Sequence, residues 1–339
     1  MHSDPHSSFF SQTSCNVTEN TDCPPRQSYR VVDVSPALTK RVSARKGASM
    51  NTPTLATIAY AKILLPSDFT DASKKALDYA KAVGWRYNSE IILTHVLTPI
   101  NPVLAPEGEW FDGDSAPQRM NEQIEEISAE LRSEGFRSRA VSLTGSVERE
   151  VFSLAEREHV DLIVVGTDGK AGWERFISGS CAEDLYRNSS RPMLVIGPLA
   201  NPIAIECWHP RSIICAITLN PNESSLASFA YTLAEEYDAT FTLVHLVHPA
   251  VEDREEKLLH FQQAMHMFLP NMKVPHYVLK TLSSLDSLGP EIVELAKEHR
   301  SDLIVMGANP ATFMTTHFRH GISSRVIHEA PCPVLILHH

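Results

Sequence analysis

The chain has 339 residues, 43% of them hydrophobic and 21% charged, which is long enough for two average domains and apolar enough for a normal core. No apolar run reaches the about 18 residues a membrane helix needs, so an integral membrane protein is not expected. The formal charge of −11 argues against sequence-independent nucleic-acid binding and against docking on anionic lipid.

Residues Met1 to Asn51 are rich in Ser, Thr, Pro and Asn and follow neither the helical nor the strand period. They hold six basic and four acidic residues, leaving 24 of the 30 basic and 37 of the 41 acidic residues, or −13, on the rest. No continuous apolar stretch follows a basic start, so no secretory signal is expected. Residues 1–54 are therefore predicted to be a disordered extension; translation starting at Met50 is the alternative. The six cysteines (Cys15, Cys23, Cys181, Cys207, Cys215 and Cys332) lack CxxC spacing, which fits free thiols in a reducing cytoplasm.

From Ile63 onward, strands are predicted near 61–66, 91–97, 138–143, 161–166 and 192–197, with helices near 71–86, 117–134, 147–158 and 180–188. The first helix shows its period in Ala72, Ala76, Tyr79, Ala80 and Val83. The pattern then repeats. Ala61–Pro66 has a counterpart in Ser212–Ile217, and Ile91–Val96 matches Phe241–Leu246 at an offset of 150. Asp161–Gly166 matches Asp302–Gly307, and Arg191–Ile196 matches Cys332–Leu337, at an offset of 141. Nine residues are thus missing from the second copy, and the Pro- and Gly-rich stretch Thr98 to Pro117 is the place for them. Asn220-Pro221-Asn222-Glu223 offers an N-cap, Pro at N1 and Glu at N3 for the second copy's first helix. Strand runs such as Leu162–Val165 are apolar on both faces, as in a parallel sheet covered by helices. The predicted fold is α/β: two tandem doubly wound five-stranded parallel sheets, one in residues 55–198 and one in 211–339, joined by a linker over 199–210.

Directly after the fourth strand stands Gly166-Thr-Asp-Gly169, and nine residues later Gly179-Ser180 opens the predicted last helix. Glycines let backbone approach a ligand, and a helix N-terminus presents bare N–H groups to an anion, so the pattern suits phosphate. Ordinary turn glycines would look the same. Neither a GxxxxGK[ST] loop nor a GxGxxG after the first strand occurs.

With Pro66-Ser-Asp68-Phe-Thr-Asp-Ala-Ser73 after the first strand, His95-Val96 ending the second and Arg191-Pro192 opening the fifth, the pattern resembles the universal stress protein family. The resemblance covers nearly all of 60–198 and, more loosely, 211–338; the glycine spacing is that of its ATP-binding branch. It implies a five-stranded parallel α/β domain and an adenine nucleotide, ATP or AMP/ADP with or without Mg²⁺. Asp68 and Val96 would hold adenine and ribose, with Pro66 lining the same pocket. Val165, Gly166, Asp168 and Gly169 would wrap ribose and phosphates, and Gly179, Ser180 and Cys181 would close on the phosphates. Fifth strands in the family pair across domain or subunit boundaries, which implies a domain–domain pseudo-dimer, a homodimer, or both.

At the 141 offset Pro310 stands on Gly169, His320 on Gly179 and Gly321 on Ser180, while Thr218 or Leu219 replaces Asp68. The second copy is thus expected to have lost the site, giving one nucleotide per chain. Other residues have competing readings. Asp68 is an acceptor for base or ribose, a catalytic base, or a cap for the next helix. Lys170 and Arg175 offset phosphate charge or face solvent, and Cys181 is a redox thiol or a small buried residue. Trp173 is a packing anchor or a partner contact. His317 and His320 lack further ligands nearby, so no metal site is assigned; His95 and His245 close equivalent strands and are read as structural.

The reading is a cytoplasmic, nucleotide-dependent stress-response protein with an unidentified protein partner, and without nucleic acid or membrane. Enzyme activity is left open, with at most slow ATP hydrolysis or autophosphorylation at Ser180. The alternatives are a nucleotide-free interaction module and an adenylyl-transferring enzyme.

Overall fold

The computed structural model describes residues 58–98, 115–167, 191–203, 208–217, 224–247, 276–281, 287–308 and 322–338, with isolated helical positions 256, 259 and 263. The first half runs β1 (Lys62–Pro66), α1 (Asp71–Tyr87), β2 (Glu90–Leu97), α2 (Ser115–Ser133), β3 (Arg137–Thr144), α3 (Val147–Arg157), β4 (Leu162–Gly166) and β5 (Met193–Ile196). The second runs β6 (Ser212–Ile217), α4 (Ser224–Tyr237), β7 (Thr240–Val247), β8 (His276–Thr281), α5 (Leu288–Glu298), β9 (Leu303–Ala308), α6 (Ile322–Glu329) and β10 (Val334–His338). The expected 1–54 extension, the helix at 180–188 and the helix start at 220–223 lie outside the described residues. Among the described residues no helix is long and apolar enough to cross a membrane.

Local chemistry accounts for the elements. In β1, Ile63, Leu64 and Leu65 are all buried in succession, because helices cover both faces of the sheet. α1 starts where the Thr70 hydroxyl accepts a hydrogen bond from the Ser73 N–H, and it stops at Asn88 in the left-handed conformation. Ala76, Tyr79, Ala80 and Val83 form its buried stripe.

All ten strands join one sheet in the order β3-β2-β1-β4-β5-β10-β9-β6-β7-β8. Each half is parallel throughout, with right-handed crossovers as the rule for such units. The seam between halves is antiparallel: Val334 faces Val195, Leu335 faces Leu194 and Ile336 faces Met193. Leu194 and Leu335 are equivalent at the 141 offset, so a local pseudo-twofold axis passes between them.

Strand register resolves the missing nine residues into two changes. Thr94 pairs with Val141 and its counterpart Val244 pairs with Val278, so the offset falls from 150 to 137 between the second and third strands. By Leu162 and Leu303 it has risen to 141. The second copy is therefore 13 residues shorter before its third strand and four longer after it.

Two apolar layers sandwich the sheet. One holds Leu65, Tyr79, Leu93 and Ile124 with Leu226, Tyr237 and Phe241; the other holds Leu64, Ile92, Val151 and Leu154 with Ile292, Val293 and Ile327. Both layers run through the seam and take residues from each half. A repeated acidic clasp fixes the amino ends of the central strands. Asp161 Oδ2 accepts from the Lys62 N–H at 2.9 Å, and Asp302 Oδ2 accepts from Arg211 and Ser212 N–H groups at 2.7 and 3.1 Å.

Candidate functional site

The strand order reverses between β1 and β4, and in an open α/β sheet the crevice beyond the carboxyl ends at such a point is where ligands bind. β1 ends at the half-buried Pro66, after which the Ser67 N–H donates to the Thr94 carbonyl at 2.8 Å. The next residue, Asp68, is exposed, and its Oδ1 accepts from the Thr70 N–H at 3.2 Å and the Thr70 hydroxyl at 2.6 Å. Partial burial alone would raise this carboxyl above its ordinary 3.8, but donors from Thr70 and Ser73 outweigh it and hold the carboxyl lower. Asp68 is thus a charged acceptor. The helix is capped by Thr70, with Asp68 bracing the cap from two residues upstream.

Phe69 adopts a left-handed backbone with φ of 63°, an uncommon state for an aromatic residue. Its N–H donates to Ser67 Oγ at 3.2 Å, and its ring centroid lies 4.8 Å from that of His95. His95 Nδ1 is 2.8 Å from the Ser67 carbonyl, which can only accept, so Nδ1 carries the proton. A cavity of about 50 Å³ lined by Leu65, Phe69, Leu77, Leu93 and Ile127 lies alongside, water-sized and too small for a purine.

Across the crevice, Val165 and the strand-end residue Val96 are both buried in the same apolar layer. Gly166 ends β4 against the first turn of α1: a Cβ there would lie 1.9 Å from the Ala72 carbonyl oxygen. Packing of β4 against α1 by itself requires glycine at 166, in addition to the ligand clearance expected for it. The following Thr167 is buried, and its N–H donates to the Ile196 carbonyl at 3.0 Å, which ties the exit of β4 to β5.

The carboxyl ends of β1, β2 and β4 thus bring Pro66, Asp68, Val96, Val165 and Gly166 to one end of the sheet. Asp168, Gly169, Gly179, Ser180 and Cys181 lie outside the described residues, as do Lys170, Trp173, Arg175, Pro310, His317 and His320. Sequence reasoning missed the hydrogen-bonded knot of Ser67, Thr70, Ser73 and His95. Thr70 three residues ahead of Ser73 is a capping spacing that signals part of it; nothing signals the backbone of Phe69. In the second half, His245 Nδ1 lies 3.1 Å from the Ile217 carbonyl, repeating the His95 contact at the 150 offset.

The Universal stress protein family matches residues 59–197 and again 210–338. Universal stress protein MJ0577 of Methanocaldococcus jannaschii is 28% identical over 155 residues, covering 41% of this chain and 96% of that protein. Universal stress protein MJ0531 of the same organism is 31% identical over 147 residues, covering 40% of this chain and 82% of its own length. The crystal structure of a universal stress protein from Archaeoglobus fulgidus superposes with a TM-score of 0.64 at 17% identity, over 84% of this chain and 98% of that one, a likeness of fold.

Proposed function

Because the chain belongs to the universal stress protein family along both halves, we propose that it is a nucleotide-dependent regulatory protein of the stress response. It holds one adenine nucleotide, ATP, ADP or AMP, in its first half and none in its second. The observation that carries this reading is the strand order, which sets Asp68 after β1 beside the start of the glycine loop after β4 at the switch point.

The residues present fit a nucleoside. A carboxylate kept ionised by its neighbours offers an acceptor for ribose hydroxyls or a base amine, next to the apolar ends of β2 and β4. Pro66, Asp68 and Val96 take base and ribose; Val165, Gly166, Asp168 and Gly169 take ribose and phosphates; Gly179, Ser180 and Cys181 take the phosphates, with any Mg²⁺ riding on them. The bound nucleotide supplies anionic charge at the loop over 166–180. Regulation requires that it bind one state of that loop, and of a partner surface in the cytoplasm, better than the other.

The test is to denature the purified chain, identify the released nucleotide and count it per chain, for wild type, Gly179→Val and Asp68→Ala. About one equivalent is expected for wild type, with occupancy falling about tenfold or more in a folded Gly179→Val and by less in Asp68→Ala. Two equivalents would overturn the loss of the second site. None, even with added ATP and Mg²⁺, would leave a nucleotide-free interaction module.

A further inference from the structure

Asp68 stands between two residues that are each held by several hydrogen bonds. Upstream, the Ser67 N–H donates to the Thr94 carbonyl at 2.8 Å, and the Ser67 carbonyl accepts from His95 Nδ1 at 2.8 Å. The Ser67 hydroxyl accepts from the Phe69 N–H at 3.2 Å and donates to Ser73 Oγ in the first turn of α1 at 3.3 Å. Downstream, both donors of Thr70 converge on one carboxylate oxygen, the N–H at 3.2 Å and the hydroxyl at 2.6 Å from Asp68 Oδ1.

The Thr70 hydroxyl does two separable things. As an acceptor it caps α1, receiving the Ser73 N–H at 3.4 Å. Its single proton is not needed for that and goes to the carboxylate instead, at a length that belongs to charge-assisted O–H···O⁻ bonds. An exposed carboxylate otherwise samples several rotamers, and fixing one in advance lowers the entropy lost when a ligand binds. With Thr70 on Oδ1, the second oxygen, Oδ2, is left for another donor.

The second half lacks this hydroxyl together with the acid. His245 Nδ1 meets the Ile217 carbonyl as His95 Nδ1 meets that of Ser67, which puts Ile217 on Ser67. Neither Thr218 nor Leu219, one of which stands at the position of Asp68, is a carboxylate. Neither Asn220 nor Pro221, the corresponding pair for Thr70, carries a hydroxyl. The strand-end histidine persists without them, so the hydroxyl goes with the acid and not with the strand end.

We propose that Thr70 is a positioning residue for nucleotide binding: its hydroxyl holds the Asp68 carboxylate so that Oδ2 faces a donor of the ribose or the base. Thr70 itself touches no nucleotide. This role rests on the nucleotide reading above and adds to it a residue that the reading does not use.

The test is calorimetric titration of the nucleotide-stripped full chain with ATP and Mg²⁺, with urea unfolding run on each protein. Wild type is compared with Thr70→Ala, Thr70→Ser, Asp68→Ala and the double variant Thr70→Ala/Asp68→Ala. Thr70→Ala should raise Kd about threefold to fivefold, the net worth of one such hydrogen bond, and Thr70→Ser should stay within about twofold of wild type. In the Asp68→Ala background, Thr70→Ala should leave Kd unchanged while still lowering the urea midpoint through the lost cap. A purely structural role for Thr70 would raise Kd by the same factor in both backgrounds and would overturn the proposal. So would a Thr70→Ala chain that binds as tightly as wild type, or a Thr70→Ser chain that binds no better than Thr70→Ala. In each of these cases binding by wild type leaves the nucleotide reading standing; no binding by wild type overturns that reading and the role of Thr70 with it.

Discussion

The two halves of the sheet share their strand order, yet the residues they share and the residues they do not serve different ends. Asp161 and Asp302 clasp the amino ends of β1 and β6, and His95 and His245 donate to the carbonyls that follow or end those strands. Both halves carry these features although their candidate-site residues differ, so they belong to the fold. Gly166, matched by Gly307, falls in the same group, since its missing Cβ makes room for the Ala72 carbonyl. What remains specific to the first half is Asp68 with Gly169, Gly179 and Ser180, replaced by Thr218 or Leu219, Pro310, His320 and Gly321. The repeat acts as an internal control that separates scaffold from candidate site.

The largest expected effect tests Gly166 as scaffold. Gly166→Ala puts a methyl 1.9 Å from a backbone oxygen that a helix holds in place, so urea unfolding should show a loss of at least about 3 kcal/mol or no folded protein. A Gly166→Ala chain of full stability that has lost only its nucleotide would mean that ligand clearance alone fixes this glycine. Next come the clasps. Asp161→Ala and Asp302→Ala should each cost about 1.5–3 kcal/mol, since each strands backbone donors that a charged acceptor had satisfied. Asp302 accepts two such N–H groups where Asp161 accepts one from this strand end, so Asp302→Ala should shift the urea midpoint more. Equal stability of either variant with wild type would break the equivalence of the halves.

Strands and their repeat were legible in the sequence because apolar runs such as Leu162–Val165 are buried on both faces and leave no other period. The division of the missing nine residues was not, because only the pairing of Val141 and Val278 across the sheet shows where the offset drops to 137 before recovering. Gly166 was legible as a glycine that matters but not for what reason, since the direction of an absent Cβ depends on the fold. Asp68 was legible as a candidate, while its bond to the Thr70 hydroxyl, and the left-handed Phe69 between them, arise from how the β1–α1 connection turns. The Arg86–Tyr237 contact joins residues 151 apart in sequence across an axis that no local pattern announces.

Smaller effects sharpen the comparison at the β1–α1 connection, where scaffold and site touch. Thr70→Ala removes the hydroxyl that receives the Ser73 N–H and donates to Asp68, and should cost about 1 kcal/mol, the usual value of an N-cap. The smallest effect belongs to Asp68 itself. Its carboxyl is held below its ordinary 3.8 in the folded chain, so the folded state binds its proton less readily than the unfolded state does. Its stabilising contribution is therefore fully present above that ordinary value and fades as pH falls through the lower folded value. Because the group is exposed, the contribution is screened, and Asp68→Asn should shift the urea midpoint at neutral pH by less than Thr70→Ala does. The difference between wild type and Asp68→Asn should then shrink as the pH is lowered through that window. A difference that grows toward acid pH, or a shift exceeding that of Thr70→Ala, would mean that Asp68 serves the fold more than the site.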